Sequence, residues 1–232
     1  MIAVTFALPT ESQEFLRHLS HKSRTDRQGI RTIRGRTDER VVEVLHTGVG
    51  EKACGQRLEK FLQDQEFDFL ISAGFAGAIN DDLQIGDLLV ARNFSTIDLN
   101  EKSSLLSGLP IHIADLLTVR ALIDSVEARM KLARTSRAAA VDMETEFIAQ
   151  ACVTHTLPFL SLRVISDTPR DGLPAPANVL FDIEQQRTDL LKLAGHFLAR
   201  PNHVPRLAQF AKRIRSARKI LAAALTKIVR EL

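Results

Sequence analysis

The feature that most constrains the fold is a series of short apolar segments, each of strand length, that end near glycine or an acidic residue. They are Ile2–Ala7, Val41–His46, Phe67–Ser72, Ala138–Val141 and Phe159–Ile165. Segments with helical periodicity separate most of them, and this alternation is typical of a mostly parallel sheet with helices on both faces. The sequence therefore predicts an α/β fold: a single-domain three-layer sandwich around a central mixed, mostly parallel sheet.

The remaining segments complete this prediction. Helices are predicted from Pro9 to Leu19 and over Glu51–Gln65, Ser125–Arg134, Glu144–His155 and about Ile183–Ala199. Ile30–Arg36 alternates as a strand and would form a hairpin with Val41–His46, whereas Leu88–Ala91 is a short strand and residues 95–113 are irregular. We expect residues 1–200 to form the domain and residues 201–232 to form a basic amphipathic helical extension.

The charge of the chain is unevenly distributed. The net charge is +3, but residues 205–232 hold eight Lys or Arg and one acidic residue, which leaves the rest of the chain at −4. The high pI therefore reflects a tail, and the body is not expected to bind polyanions. Two cysteines, Cys54 and Cys152, are too few for a disulfide framework, so we expect buried thiols in a reduced, cytoplasmic protein.

Small residues cluster where two of the apolar segments end. Residues 47–50 read Thr-Gly-Val-Gly, and residues 72–78 contain Gly74 and Gly77 among Ala and Ser. Ligands of open α/β sheets bind at the carboxyl ends of strands, where small residues let a flat ligand approach the backbone. The alternatives are a simple tight turn at 47–50 and close packing of a strand on a helix at 72–78.

Acidic residues occupy the same kind of position. Asp142, Met143 and Glu144 follow a short strand, and a helix dipole accounts for one acid there. An ionised Glu offers two acceptor oxygens, which suits two neighbouring sugar hydroxyls. Asp167 ends the last apolar strand, either as a turn former or as a partly desolvated carboxyl that donates a proton near neutral pH. Glu11 is either a first-turn helix acid or a base that orients water.

In this order and spacing, these segments resemble the purine nucleoside phosphorylase and nucleosidase superfamily, which includes methylthioadenosine/S-adenosylhomocysteine nucleosidase. The resemblance covers most of residues 1–168. It rests on residues 7–11, 47–50, 72–77, 86–87, 141–144 and 163–167. It implies cleavage of the N-glycosidic bond of a purine (adenine-type) nucleoside by hydrolysis or phosphorolysis, with release of the free base.

The resemblance also implies roles for individual residues. Asp167 would protonate N7 of the purine with Ser166 beside it, Glu144 would bind the ribose hydroxyls with Met143 against the sugar, and Glu11 would activate water. The other residues implied to line the substrate site are Gly74, Phe75, Ala76, Gly77 and Asp142. No metal or organic cofactor is implied, although inorganic phosphate is a possible co-substrate, and the family implies a homodimer.

Departures from the family pattern leave alternatives open. Arg-based phosphate sites of the phosphorylases have no evident counterpart, and Phe75 replaces a small polar residue, so hydrolysis and phosphorolysis both stand. The chain has no Trp or Tyr, and the expected base-stacking Phe is missing, with Leu122 or Phe94 as substitutes. A non-catalytic nucleoside-binding protein of the same fold is the rival hypothesis.

The tail suggests a further alternative. Residues 116–146 and 200–218 also resemble the hopanoid-associated phosphorylase branch, which implies an adenosylhopane-type lipid-nucleoside phosphorylase at the membrane surface. An apolar stripe with Lys and Arg around it runs through residues 206–230. The stripe would pack on the domain or a partner subunit, or attach peripherally to an anionic membrane at the inner face. Nucleic-acid binding is not expected, because no aromatic stacking platform accompanies the basic residues.

Overall fold

A computed structural model describes residues 1–63, 66–97, 106 and 108–232. Most of the segment that we predicted as irregular, residues 98–105 and 107, therefore lies outside the described residues, as do residues 64–65 at the predicted end of one helix.

Within the described residues, strands and helices alternate along most of the chain. The strands are β1 (Ile2–Phe6), β2 (Ser20–Arg27), β3 (Ile30–Thr37), β4 (Arg40–His46), β5 (Phe69–Ala78), β6 (Leu88–Ala91), β7 (Ile111–Ala114), β8 (Leu116–Thr118), β9 (Ala140–Asp142) and β10 (Phe159–Asp167). The helices are α1 (Pro9–His18), α2 (Glu51–Leu62), α3 (Val126–Thr135), α4 (Thr145–Thr154), α5 (Ala177–Leu180), α6 (Leu190–Ala199) and α7 (Val204–Glu231).

The described strands form one mixed sheet in the order β2-β3-β4-β1-β5-β10-β6-β7, and β8 and β9 join it beside β5. The central strands β4, β1, β5 and β10 are parallel to one another, and β7 is parallel to β6. The pairs β2–β3, β3–β4 and β10–β6 are antiparallel. The carboxyl ends of β1, β5 and β10 therefore meet at one edge of the sheet, where the sequence analysis expects a ligand.

Alternate residues of the central strands point to opposite faces of the sheet, so each face carries apolar side chains that need to be covered. Helices cover both faces. Ile2 and Val4 belong to the core that includes α1 and α7, whereas Ala3 belongs to the core that includes α2 and α4. The predicted α/β class and three-layer arrangement are confirmed. Cys54 and Cys152 are buried free thiols, and burial raises the pKa of each to about 12, which makes them unreactive.

The differences from the predicted elements have physical causes. β2 has the polar sequence SHKSRTDR and lies at the edge of the sheet, so it lacks the apolar alternation by which strands are recognised. β5 continues through Gly74 and Gly77 instead of ending before them, because β10 and β9 pair with it there. The helix predicted from Ile183 begins only at Leu190, after Asp189 caps it through the backbone N–H groups of Leu191 and Lys192.

The predicted basic helix exists as α7, and the second half of its apolar stripe packs inside the domain. Ala217, Leu221, Leu225 and Ile228 are fully or almost fully buried, and they share a core with α1 and the central strands. α7 contacts α1 and β10. This half of the stripe therefore packs on the domain, which was one expected alternative, and is not available for the other, attachment to a membrane. No helix in the described residues has the length and hydropathy that crossing a bilayer requires.

We expect Leu225→Ala to lower the free energy of unfolding by about 2–5 kcal/mol, because the truncation leaves a cavity in the core. Lys219→Ala, on an exposed position of the same helix, should change it by less than about 0.5 kcal/mol. Urea unfolding of both variants measures the difference. Equal effects of the two substitutions would show that α7 is not part of the core.

Candidate functional site

A cavity of about 290 Å³ lies at the carboxyl ends of β1, β5 and β10. This volume is at the lower end of the range of roughly 300–1,000 Å³ for small-molecule sites. Acidic residues from three different segments line it: Glu11 after β1, Asp142 and Glu144 at the end of β9, and Asp167 at the end of β10. The structure thus brings together the carboxyl groups that the sequence analysis placed at separate strand ends.

Glu11 lies in the first turn of α1, directly after the end of β1. Its side chain is held by two backbone N–H groups, those of Leu8 at 2.9 Å and Phe75 at 3.3 Å. Burial raises the pKa of Glu11, while these hydrogen bonds and the charge of Arg163 act in the opposite direction. The result is a fixed, desolvated carboxyl at the wall of the cavity, which is the environment of a general base.

Asp167 reaches the cavity at the end of β10. The pairing register with β5 shifts between Ile165 and Asp167, and such an irregularity re-aims side chains at the end of a strand. Ser166 and Asp167 consequently both line the cavity, and the Ser166 hydroxyl donates to Oδ1 of Asp167 at 2.6 Å.

Arg129 was not predicted, and it is the main addition to the site. This buried side chain of α3 forms an ion pair with Oδ2 of Asp167. Its guanidinium also donates to the carbonyl oxygens of Ala78 at 2.7 Å and Ile123 at 3.0 Å. Asp167 therefore has a positive charge beside it at the cavity wall.

Asp142 and Glu144 differ in what surrounds them. Asp142 forms a buried ion pair with Arg163 at 2.9 Å and accepts hydrogen bonds from Thr118 and Thr145, so it mainly fixes the site. Glu144 accepts a hydrogen bond from the backbone N–H of Gly50 at 2.9 Å through Oε1, which leaves Oε2 able to accept from a ligand. Burial, with the nearby charge of Asp142, raises the pKa of Glu144 to about 8.

The turn at residues 47–50 supports Glu144. Gly48 and Gly50 have φ of +80° and +83°, which glycine adopts without strain. The amide of Gln186 accepts from the N–H of Val49 at 2.7 Å and donates to its carbonyl at 2.9 Å. The segment before α6 is thereby fastened to the turn that holds Glu144.

The other predicted residues are mostly placed at the cavity. Met143, Phe75, Ala76 and Gly77 line it, and a Cβ at Gly77 would lie 2.9 Å from Oδ2 of Asp167, so only glycine fits there easily. Gly74 is not part of the wall but lies behind Glu11, with Oε1 of Glu11 3.4 Å from the position of an added Cβ.

Apolar side chains from late in the chain form much of the remaining wall. They are Leu173, Leu180, Phe181, Phe210 and Ile214. Of the two candidates for the missing base-stacking residue, Leu122 lines the cavity, whereas Phe94 packs against the two cores beneath it. Sequence reasoning noted the apolar stripe of α7 but did not connect its first half with the site. In the described part of the chain, no group of three His, Cys, Asp or Glu side chains is arranged to hold a metal ion.

The raised pKa of Glu144 predicts a pH-dependent stability. Because the folded protein holds this proton up to about pH 8, whereas the unfolded chain releases it near the ordinary value of 4.5, the free energy of unfolding falls as pH rises between these values. Glu144→Gln removes this contribution, so its stability should fall less than that of the wild type between about pH 5 and 9. Urea unfolding across this range measures the slope.

Glu66→Gln, at an exposed position, serves as the control and should follow the wild type. A Glu144→Gln variant with an unchanged slope would contradict the burial of an uncharged carboxyl at this position.

Comparisons with known proteins agree with this geometry. The chain is 24% identical over 196 residues to the 5′-methylthioadenosine/S-adenosylhomocysteine nucleosidase of Staphylococcus aureus, which covers 72% of this chain and 86% of the relative. The corresponding protein of Shewanella piezotolerans is 22% identical over 200 residues, covering 73% of this chain and 87% of the relative.

Solved structures share the fold. The MTA/SAH nucleosidase of Streptococcus pneumoniae in complex with 8-aminoadenine has a TM-score of 0.74 at 19% identity, covering 100% of this chain and 99% of the other. Native futalosine hydrolase of Helicobacter pylori has a TM-score of 0.72 at 17% identity, covering 100% and 98%. The model of the phosphorylase superfamily matches residues 1–107 and 98–200. The chain therefore belongs to the phosphorylase superfamily.

Proposed function

We propose that this protein cleaves the N-glycosidic bond of an adenine-type nucleoside by hydrolysis and releases the free base. The observation that supports this most strongly is that Asp167 and Glu144 line one cavity of nucleoside size with Glu11 in the same wall. The names of the relatives point the same way, since they are nucleosidases and one structural neighbour binds 8-aminoadenine.

At the base end, Asp167 gives its proton to the departing base and Arg129 stabilises the Asp167 carboxylate that is left. A purine anion is a poor leaving group, so protonation of its ring nitrogen should accelerate bond cleavage by roughly 10²–10⁴. The guanidinium of Arg129 contacts the same carboxyl group and is held by two carbonyl oxygens. A fixed positive charge there stabilises the carboxylate that remains on Asp167 once its proton has passed to the base, which leaves neutral.

At the sugar end, Glu144 accepts hydrogen bonds from the ribose hydroxyls while Met143 packs against the ring. The ionised carboxylate also stabilises a sugar that acquires oxocarbenium character as the base leaves. Because burial raises the pKa of Glu144 to about 8, the hydroxyl donors of a bound ribose must favour its ionised form.

Water is the proposed nucleophile, with Glu11 as its base. Glu11 is desolvated and held by the backbone of Leu8 and Phe75, so a water between Glu11 and the sugar would be oriented for attack. Phosphate needs positive charge, and in the described cavity wall the Lys or Arg side chain present is Arg129, which Asp167 already engages. This arrangement favours hydrolysis over phosphorolysis.

The apolar wall favours a substrate with an apolar group on the sugar. Phe181, Phe210 and Ile214 come from segments near α6 and α7 and offer no charged partner to a ligand. A lipid-linked nucleoside, the alternative raised by the sequence, meets the same requirement. The homodimer that the resemblance implies and the cytoplasmic location expected from the two cysteines stay predictions.

Incubation with adenosine and with methylthioadenosine, in the presence and absence of phosphate, tests the proposal. We expect free adenine without phosphate. Asp167→Asn should lower kcat/KM by at least about 10², since it removes the proton donor. An unchanged circular dichroism spectrum would show that the fold is retained, although loss of the buried ion pair with Arg129 should lower the Tm. Asp81→Asn, at an exposed ion pair with Arg170, should retain wild-type activity.

Strict dependence on phosphate would contradict hydrolysis and identify a phosphorylase. Saturable binding of nucleosides without turnover of any of them, lipid-linked ones included, would contradict catalysis and support the rival binding protein.

The role of Arg129 predicts a dependence on the leaving group. Arg129→Gln should lower kcat/KM for an adenine nucleoside by about 10² but have less than a tenfold effect on 4-nitrophenyl riboside, whose leaving group needs no protonation. The ratio of the two rates within one preparation is independent of how much protein is folded. Arg134→Gln, exposed on the same helix, is the control. Equal losses on both substrates would mean that Arg129 only maintains the structure.

A further inference from the structure

α6 presents apolar side chains to solvent along its outer face. Leu190, Leu191 and Leu198 are 72%, 86% and 82% exposed, and the exposed Ala194 lies between them at helical spacing. Phe197 faces inward and is buried. Because this short helix is apolar on both sides, it leaves an exposed apolar strip. Contiguous exposed apolar surface is typical of interaction sites.

The chain on either side of this strip is rich in basic residues. Residues 187–219 contain nine Lys or Arg and a single acidic residue, Asp189. Lys192 on α6, Arg200 at its end and Arg206 at the start of α7 are exposed. The second half of α7 is anchored in the core, and only Arg200 and the short turn Pro201–His203 separate α6 from α7, so Arg200 and Arg206 lie close to α6 along the chain.

Two occupants could cover an apolar strip of this kind, and the charge distinguishes them. A second copy of the same surface would bring two strongly basic segments together, which disfavours a symmetric interface. An anionic bilayer accepts both features, because leucines insert at the boundary between headgroups and acyl chains while Lys and Arg bind the negative surface. No described helix is suited to crossing the bilayer, so the attachment is peripheral.

We propose that α6, together with the basic first half of α7, forms a docking surface for an anionic membrane, with Leu190, Leu191 and Leu198 inserted into the interface. This surface differs from the stripe of α7 suggested by the sequence, whose second half is buried. It lies next to the cavity in the chain, since Phe181 and Thr188 before α6 and Phe210 and Ile214 after it line the wall. The proposal does not depend on the reaction, because binding to vesicles requires no turnover.

Flotation of the full chain with phosphatidylcholine vesicles, with and without about 30% phosphatidylglycerol, tests the proposal. We expect binding to the anionic vesicles alone, weakened by added salt because surface charges are screened. The triple variant Leu190→Ser, Leu191→Ser, Leu198→Ser should lower the partition coefficient at least tenfold. Lys192→Glu with Arg200→Glu should lower it as well, without any change to the apolar strip.

Val153→Ser provides the matched control, because Val153 is 69% exposed on α4 and lies outside this surface. It should bind vesicles as the wild type does, and the Tm of every variant should remain unchanged. Wild-type protein that does not float, or a leucine variant that floats equally well, would overturn the proposal. A different result by sedimentation would be a dimeric wild type and a monomeric leucine variant, with vesicle binding unchanged. That result would overturn the proposal and identify α6 as a self-association surface.

Discussion

The buried ion pair between Arg163 and Asp142 is the interaction on which the site depends. The two side chains are 3% and 1% exposed, and Arg163 also donates to the carbonyl and hydroxyl oxygens of Ser72 at 2.8 Å. The pair therefore joins β10, β9 and β5 behind the cavity. Removing either partner would leave an isolated charge in the core, which typically costs about 3–5 kcal/mol. Its cation faces Glu11 and its anion faces Glu144, so it also shapes the electrostatics of both functional carboxyls.

The sequence predicts those parts of the molecule that depend on local pattern. Apolar segments with acids or glycines at their ends identify the central strands, and the parallel pairing of β1, β5 and β10 then places Glu11 and Asp167 at one edge. Glu144 reaches the same cavity from β9, which pairs antiparallel with β5. The sequence did not indicate Arg129 as a site residue, because its local pattern is that of any Arg on an amphipathic surface helix. Its importance arises from contact with Asp167, 38 residues further along the chain, and periodicity carries no information about such contacts.

The last helix, α7, shows the same limit of sequence pattern: the pattern was recognised, but its packing partners were not. Its apolar spacing was visible, but spacing does not reveal what the stripe packs against. The structure divides the stripe: Leu221, Leu225 and Ile228 enter the core, whereas Phe210 and Ile214 face the cavity. The basic residues that looked like a detached tail are consequently part of the surface next to the site, and the exposed apolar side chains belong to α6, which the sequence analysis treated as an ordinary helix.

The two hydrogen bonds between the Gln186 amide and the backbone of Val49 have a thermodynamic consequence. Gln186 lies a few residues before α6, and the next residue after Val49, Gly50, donates to the carboxylate of Glu144. A shift of α6 that displaced Gln186 would therefore disturb the hydrogen bond that positions the Glu144 carboxyl group in the cavity. Coupling of this kind is reciprocal: if the proposed partner of α6 changes affinity in the pocket by some factor, occupancy of the pocket changes the affinity of α6 for that partner by the same factor.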